Sequence, residues 1–185
     1  DGNRGVLIIG PDEPTLNKYR TSAQDFLRFE QSLVSLRDLP AETQDGVRVQ
    51  LLGNIEFPHD TDHCLDGGAE GIGSYRTEFL YLDRDRVPTE EDHYQAYASV
   101  VTAFGADKPV VFRTMDLGAD KLSSDMQGEL EHNPFLGLRS IRLSMRNLPV
   151  FKTQLRALLR VSVLGDVRIM FPLISTVWEF RGCRM

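Results

Sequence analysis

Gly71-Ile72-Gly73-Ser74-Tyr75-Arg76-Thr77-Glu78-Phe79-Leu80 begins as a strand and stops being one at Arg76. Ala69 to Tyr75 is a short run of apolar and small residues of the kind a buried strand uses, and its two glycines leave the backbone bare for close approach. Gly71 and Gly73 are expected to let a strand end lie close to a ligand. Arg76 falls where that strand ends.

The same alternation continues on both sides. Upstream, Val47 to Leu52 reads as a strand, and Thr61 to Leu65 as a short helix closed by Gly67-Gly68. Downstream, Thr89 caps a helix that runs to Phe104, with Glu90, Glu91 and Asp92 complementing its positive end. Val110 to Phe112 is a third strand. Leu136 to Met145 and Val150 to Val163 read as helices, Arg168 to Phe171 as a fourth strand, and a further helix runs from Thr176. Strand–helix alternation predicts an α/β fold with a parallel sheet. Four such units make the first half of a (β/α)8 TIM-type barrel; an open doubly wound sheet is the other arrangement.

The residues before Gly46 have a different rhythm. Val6-Leu7-Ile8-Ile9 reads as a buried strand closed by Gly10-Pro11. Asp12 and Pro14 are a helix start. Leu16, Tyr19, Ala23, Phe26, Phe29, Leu33 and Leu36 then recur at spacings of three and four, which is one face of a long helix. It ends near Leu39-Pro40. The polar stretch from Pro40 to Gly46 closes with Asp45-Gly46, a turn signal that marks a boundary.

At 185 residues the chain has room for one domain, or one domain and a piece of another. Its net charge of −6 argues against nucleic acid as the main partner and means that an anionic ligand needs local arginines. No apolar run reaches the roughly 18–20 residues of a membrane span. Asp1-Gly2-Asn3-Arg4-Gly5 is not a signal peptide. Cys64 and Cys183 form no close pair, which points to a reducing cytoplasm. Neither end reads as a natural terminus, so the chain reads as a piece of a longer protein.

Arg76 and Arg113 each fall at a predicted strand end, which is where a β/α barrel builds its active site. Two guanidiniums there suit a phosphate or carboxylate, because each is a planar fork of donors. The bland alternative pairs Arg76 with Glu78 and Arg113 with Asp116, and periodicity alone weighs the two equally. Arg113-Thr114-Met115-Asp116-Leu117-Gly118-Ala119-Asp120-Lys121 is rich in charge for a loop after an apolar strand and leans toward function. Asn133-Pro134-Phe135-Leu136-Gly137-Leu138-Arg139 reads first as a turn leading into a helix, with Arg139 near the same mouth as the functional alternative.

Together these segments resemble the phosphoenolpyruvate-protein phosphotransferases, the enzyme I family of sugar-transport phosphorelays. The glycine-rich segment ending in Arg76-Thr77-Glu78-Phe79 is similar to the family's first motif, with Pro88-Thr89-Glu90-Glu91 downstream. The stretch from Arg113 to Lys121 resembles the second motif and that from Asn133 to Arg139 the third. Arg168-Ile169-Met170-Phe171-Pro172-Leu173-Ile174 resembles the strand that follows. Ser74 and Ala119 depart from the pattern at a usual leucine and a usual glycine, and leave the arginines in place.

The resemblance implies a barrel that binds phosphoenolpyruvate, with Arg76, Arg113 and Arg139 as substrate-binding residues. It implies residues 1–11 as the tail of a swivelling phosphohistidine domain, 12–45 as a linker helix and 46–185 as the N-terminal half of the barrel. It implies a histidine elsewhere that takes the phosphoryl group and passes it to a phosphocarrier protein, Mg2+ with its ligands outside these residues, and a cytoplasmic homodimer formed through the barrel. No catalytic residue of the family falls within the 185. Pyruvate phosphate dikinase and phosphoenolpyruvate synthase share the first motif, but the match is poorer at Glu78-Phe79 and from Met115 to Lys121. A non-catalytic anion-binding or dimerisation module is the alternative outside enzymes.

The remaining chemistry-bearing residues have plainer readings. His59 and His63 stand four apart beside Asp60, Asp62 and Cys64, and read as a solvated helix start rather than a metal site. His93 reads as lying on a polar helix face and His132 in a charged loop. Cys64 reads as a small core residue, Cys183 as a helix residue without a catalytic role, and Trp178 as a packing residue.

Overall fold

A computed structural model of the chain describes residues 5–82, 86–118 and 137–184. The expectations for Ala119-Asp120-Lys121, His132 and the stretch from Asn133 to Leu136 lie outside these residues. The chain divides into two compact units, Asp1–Pro40 and Ala41–Met185.

The first unit is built on one helix, α1 (Glu13–Leu33). Asp12 caps it by accepting from Thr15 N at 3.0 Å, and Pro14 sits in the first turn. A 3₁₀ turn over Val34–Leu36 finishes it. No residue of α1 is buried, and Phe26, Phe29 and Leu33 are exposed. The strand expected at Val6 to Ile9 is not formed: the segment is irregular and all four side chains are exposed. A strand needs a neighbour for its backbone groups, and none of the described strand pairs includes these residues.

The second unit carries four strands: β1 (Gly53–Ile55), β2 (Ile72–Arg76), β3 (Val110–Arg113) and β4 (Val167–Met170). They pair in chain order, and every pairing is parallel. Helices α2 (Asp60–Asp66), α3 (Glu90–Phe104), α4 (Ser140–Arg146) and α5 (Leu148–Val161) lie in the connections, and α6 (Val177–Cys183) follows β4. Mixed α/β structure with a parallel sheet is what the alternation predicted.

The first strand lies later than expected. Val47 and Val49 spend their hydrogen bonds on the preceding residues, Thr43 N to Val47 O and Val49 N to Ala41 O, around the Asp45-Gly46 turn. The sheet starts only at Gly53, where a side chain would come within 2.5 Å of Cys64 Sγ. Apolar density therefore misplaced β1, and the glycine marks where helix and strand touch.

One face of the sheet packs against α3 and α5. Ile55, Ile72, Tyr75, Val110 and Phe112 meet Tyr97, Val100, Val101 and Phe104 of α3 and Ala157, Leu158 and Val161 of α5. The two helices are also tied at their surface, where Glu90 takes Arg156 and Arg160 at 2.9 Å and Arg160 stacks over Tyr94. Thr89 and Asp92 close a capping box at the start of α3. Thr176 and Glu179 close another at the start of α6.

Two side chains reverse their expected environments. His93 is completely buried rather than on a polar face. It follows Asp92 and precedes Tyr94, so its neighbours disguise its inward position. Trp178 is 78 % exposed rather than packed. Cys183 is buried beside Ile141 and Phe151, and Cys64 is partly buried against the main core. No helix among the described residues is long and apolar enough to cross a membrane.

Candidate phosphate-binding site

Arg76 and Arg113 are the last residues of β2 and β3, and they stand opposite each other in the parallel register. The preceding pair, Tyr75 and Phe112, faces the helices and is fully buried. Alternation along a strand turns the next residue to the opposite face. Both guanidiniums therefore leave the sheet at its C-terminal edge, on the side away from α3 and α5. The sequence reaches this geometry by placing a large core residue immediately before each arginine.

Their partners differ from the expected ones. Arg76 Nη1 donates to Glu56 Oε1 at 2.8 Å. Glu56 is the first residue after β1, and the misplaced first strand hid it. Glu78, expected beside Arg76, instead takes Arg113 Nη2 on Oε2 at 3.0 Å and the Asp116 backbone N–H on Oε1 at 2.8 Å. Arg113 also meets Asp116, as expected, at 3.3 Å. Arg113 is thus held between two carboxylates, one of them only 8 % exposed, whereas Arg76 is 42 % exposed and meets one carboxylate among the described residues.

Arg139 joins the group through Asp116, whose other oxygen it reaches at 3.2 Å. It is the N-cap of α4, and its main chain bridges to Gly118. Ser140 has φ 52°, donates its N–H to Leu117 O at 3.0 Å, and its hydroxyl bonds Asp116. This left-handed residue folds the chain back so that Arg139 lies over the loop leaving β3. The three arginines are gathered in two linked sets: Arg113 and Arg139 share Asp116, and Arg76 adjoins Arg113 across the strand pair.

The glycines do something other than expected. A side chain on Gly71 would run into Pro109 O, and one on Gly73 would lie 2.9 Å from Leu52 Cβ. Both glycines admit neighbouring chain rather than a ligand. Gly71, at φ 156°, precedes β2, at the end opposite the arginines.

Nothing else among the described residues forms a comparable centre. No group of three His, Cys, Asp or Glu side chains there could hold a metal ion. His59 is exposed at the start of α2, as expected. The carboxylates nearest the arginines, Glu56, Glu78 and Asp116, are all engaged by guanidiniums. They do not fit as a free Mg2+ ligand set. Two buried residues that periodicity did not single out, Thr77 and Gln154, lie behind the arginines. Thr77 Oγ1 donates to Arg113 O at 2.8 Å, and Gln154 Nε2 donates to Thr77 Oγ1 at 2.9 Å.

Comparison with known proteins identifies the family. A family model described as PEP-utilising enzyme, PEP-binding domain, matches residues 30–185. The chain is 45% identical over 184 residues to the phosphoenolpyruvate-protein phosphotransferase of Staphylococcus carnosus (strain TM300), covering 100% of this chain and 32% of that protein. It is 46% identical over 184 residues, with the same coverage, to the protein of that name from Staphylococcus aureus. Against that from Listeria innocua serovar 6a it is 45% identical, again with the same coverage. The chain thus spans about a third of the length of the curated relatives it matches. With two thirds or more of its residues inside the family model, the chain belongs to the PEP-utilising enzymes and carries sequence of their PEP-binding domain.

Proposed function

We propose that this chain supplies the phosphate-binding arginines of an enzyme that moves the phosphoryl group of phosphoenolpyruvate to a protein histidine and on to a carrier protein. The observation that carries the reading is the pairing of Arg76 with Arg113 at the C-terminal edge of adjacent parallel strands, with Arg139 joined through Asp116. The relatives, phosphoenolpyruvate-protein phosphotransferases, support the transfer of a phosphoryl group from phosphoenolpyruvate to protein.

Phosphoryl transfer needs charge neutralised and groups held in line. Guanidiniums neutralise charge with no proton of their own in play and grip phosphate oxygens in pairs. Arg76 is the more exposed and the more loosely held, so it is the group that turns to the incoming phosphate. Arg113, fixed by Glu78 and Asp116, is a preorganised donor. Arg139 adds positive charge from the α4 side. In the full-length enzyme magnesium would add Lewis-acid charge neutralisation; the residues described here act on the phosphate itself.

The architecture we propose is the first half of a (β/α)8 barrel over residues 46–185. Four parallel strands in chain order, with helices on one face and the arginines turned to the other, support it. Residues 12–45 are then the linker helix and 1–11 the tail of the phosphohistidine domain, within a cytoplasmic homodimer.

The test is Arg76→Ala in the full-length protein. Phosphorylation of the protein by phosphoenolpyruvate is abolished if the assignment holds, and a wild-type rate of labelling refutes it.

A further inference from the structure

Gln154 lies in the middle of α5 and is 1 % exposed. Its neighbours along the inward face of the helix, Ala157, Leu158 and Val161, are core residues. A carboxamide in such surroundings is costly unless its groups are bonded. Here Oε1 accepts from Met115 N at 3.2 Å, and Nε2 donates to Thr77 Oγ1 at 2.9 Å and to Tyr97 Oη at 3.1 Å. The orientation of the amide follows from chemistry, because only its oxygen can accept from a backbone N–H.

Two branches run outward from that amide. Thr77 spends its proton on Arg113 O at 2.8 Å, so it accepts from Gln154. Tyr97 Oη, which accepts from Gln154, also bonds His93 Nδ1 at 2.9 Å. The other ring nitrogen of His93, Nε2, bonds Tyr81 Oη at 3.2 Å. One branch ends in the core. The other ends on the main chain that carries the arginines: Thr77 follows Arg76, and Arg113 O and Met115 N flank Thr114. A methionine at position 154 would fill similar space without burying polar atoms. What the amide adds is direction, applied to both strand ends at once.

We infer that Gln154 is a positioning residue for the arginine site: from α5 it fixes the main chain after Arg76 and around Arg113, so that the two guanidiniums converge on one phosphate. The inference rests on the reading of Arg76 and Arg113 as phosphate ligands.

The test uses the full-length protein and phosphoenolpyruvate itself. Gln154→Met raises KM for phosphoenolpyruvate about tenfold, the worth of a lost buried hydrogen bond, with kcat within about threefold of wild type. Thr77→Val, which cuts the same branch while keeping the volume, gives the same split. The double variant costs no more than the worse single one, because both break one chain. Tyr81→Phe removes the far end of the core branch and touches neither Gln154 nor Thr77; it lowers Tm and leaves KM unchanged.

Wild-type KM in Gln154→Met while Arg76→Ala is inactive overturns the inference and leaves the site reading standing. An equal rise of KM in Tyr81→Phe also overturns it, since general loosening then explains the effect. Wild-type activity in Arg76→Ala removes the reading and the inference together. Should Gln154→Met not fold, Thr77→Val decides alone, and wild-type KM there is fatal.

Discussion

Arg113 and Arg76 occupy equivalent positions on neighbouring strands and differ in what they leave behind when removed. Replacing Arg113 by Leu strands Glu78, which is 8 % exposed and keeps only the Asp116 N–H as a partner. Breaking a buried pair on one side costs about 3–5 kcal/mol, and the partial exposure of Arg113 reduces that to about 2 kcal/mol. Replacing Arg76 by Leu frees Glu56, which is 39 % exposed and readily hydrated. That costs under about 1 kcal/mol. Urea unfolding of the two variants should therefore separate them by more than about 1 kcal/mol, while the proposed function expects both to lose phosphoenolpyruvate binding. Equal stability would mean that Glu78 does not depend on Arg113. The arginines themselves were legible in the sequence because each ends an apolar run. Asp116 was legible as a partner of Arg113, three residues away, but the others were not: Glu78 serves Arg113 rather than Arg76, and Glu56 serves Arg76, through strand order and register that are invisible before the strands are placed. Gln154 was hidden for another reason, since a polar residue on an amphipathic helix is normally read as facing water.

Caps were the most legible feature at the scale of elements, and α6 shows what they do. Glu179 accepts from the backbone and hydroxyl of Ser175, from the Thr176 backbone, and from Arg142 at 3.2 Å. The Ser175 bonds above all, helped by the Arg142 guanidinium, hold its carboxyl down at about 2 against an ordinary 4.5. A lowered pKa in the folded state means the carboxylate form is favoured by folding. Its contribution is complete above the unfolded value and fades as pH falls from about 4.5 toward about 2. Thermal melts between pH 6 and pH 2 should show α6 signal lost early in the wild type. In Glu179→Gln that portion of the pH dependence disappears, and an unchanged pH profile would refute the assignment. Thr176 and Thr89 are readable as caps because the residues that complete each motif are three positions away. β1 and the Val6 to Ile9 segment were not readable, because a strand is defined by a partner distant in sequence. Val47 and Val49 look like strand residues and spend their bonds on a local turn instead.

At the scale of the whole molecule, stability should reside in the second unit. All three core clusters are built from residues beyond Gly53: the sheet with α3 and α5, the group around Tyr81 and Met115, and the group around Ile141 and Phe151. The helix of the first unit buries none of its own residues. Helices in proteins owe most of their stability to packing of an apolar face, and this one buries none of its own. Removing residues 1–40 therefore takes no core side chain away. A chain beginning at Ala41 should melt cooperatively within about 4 °C of the 185-residue chain, the shift that about 1 kcal/mol makes at this size. Its far-ultraviolet circular dichroism should fall by the helical signal of Glu13–Leu33 alone. Loss of the cooperative transition on that deletion would refute the placing of stability in the second unit. All the described ion pairs of the arginine site fall within that unit, so the shortened chain should keep them.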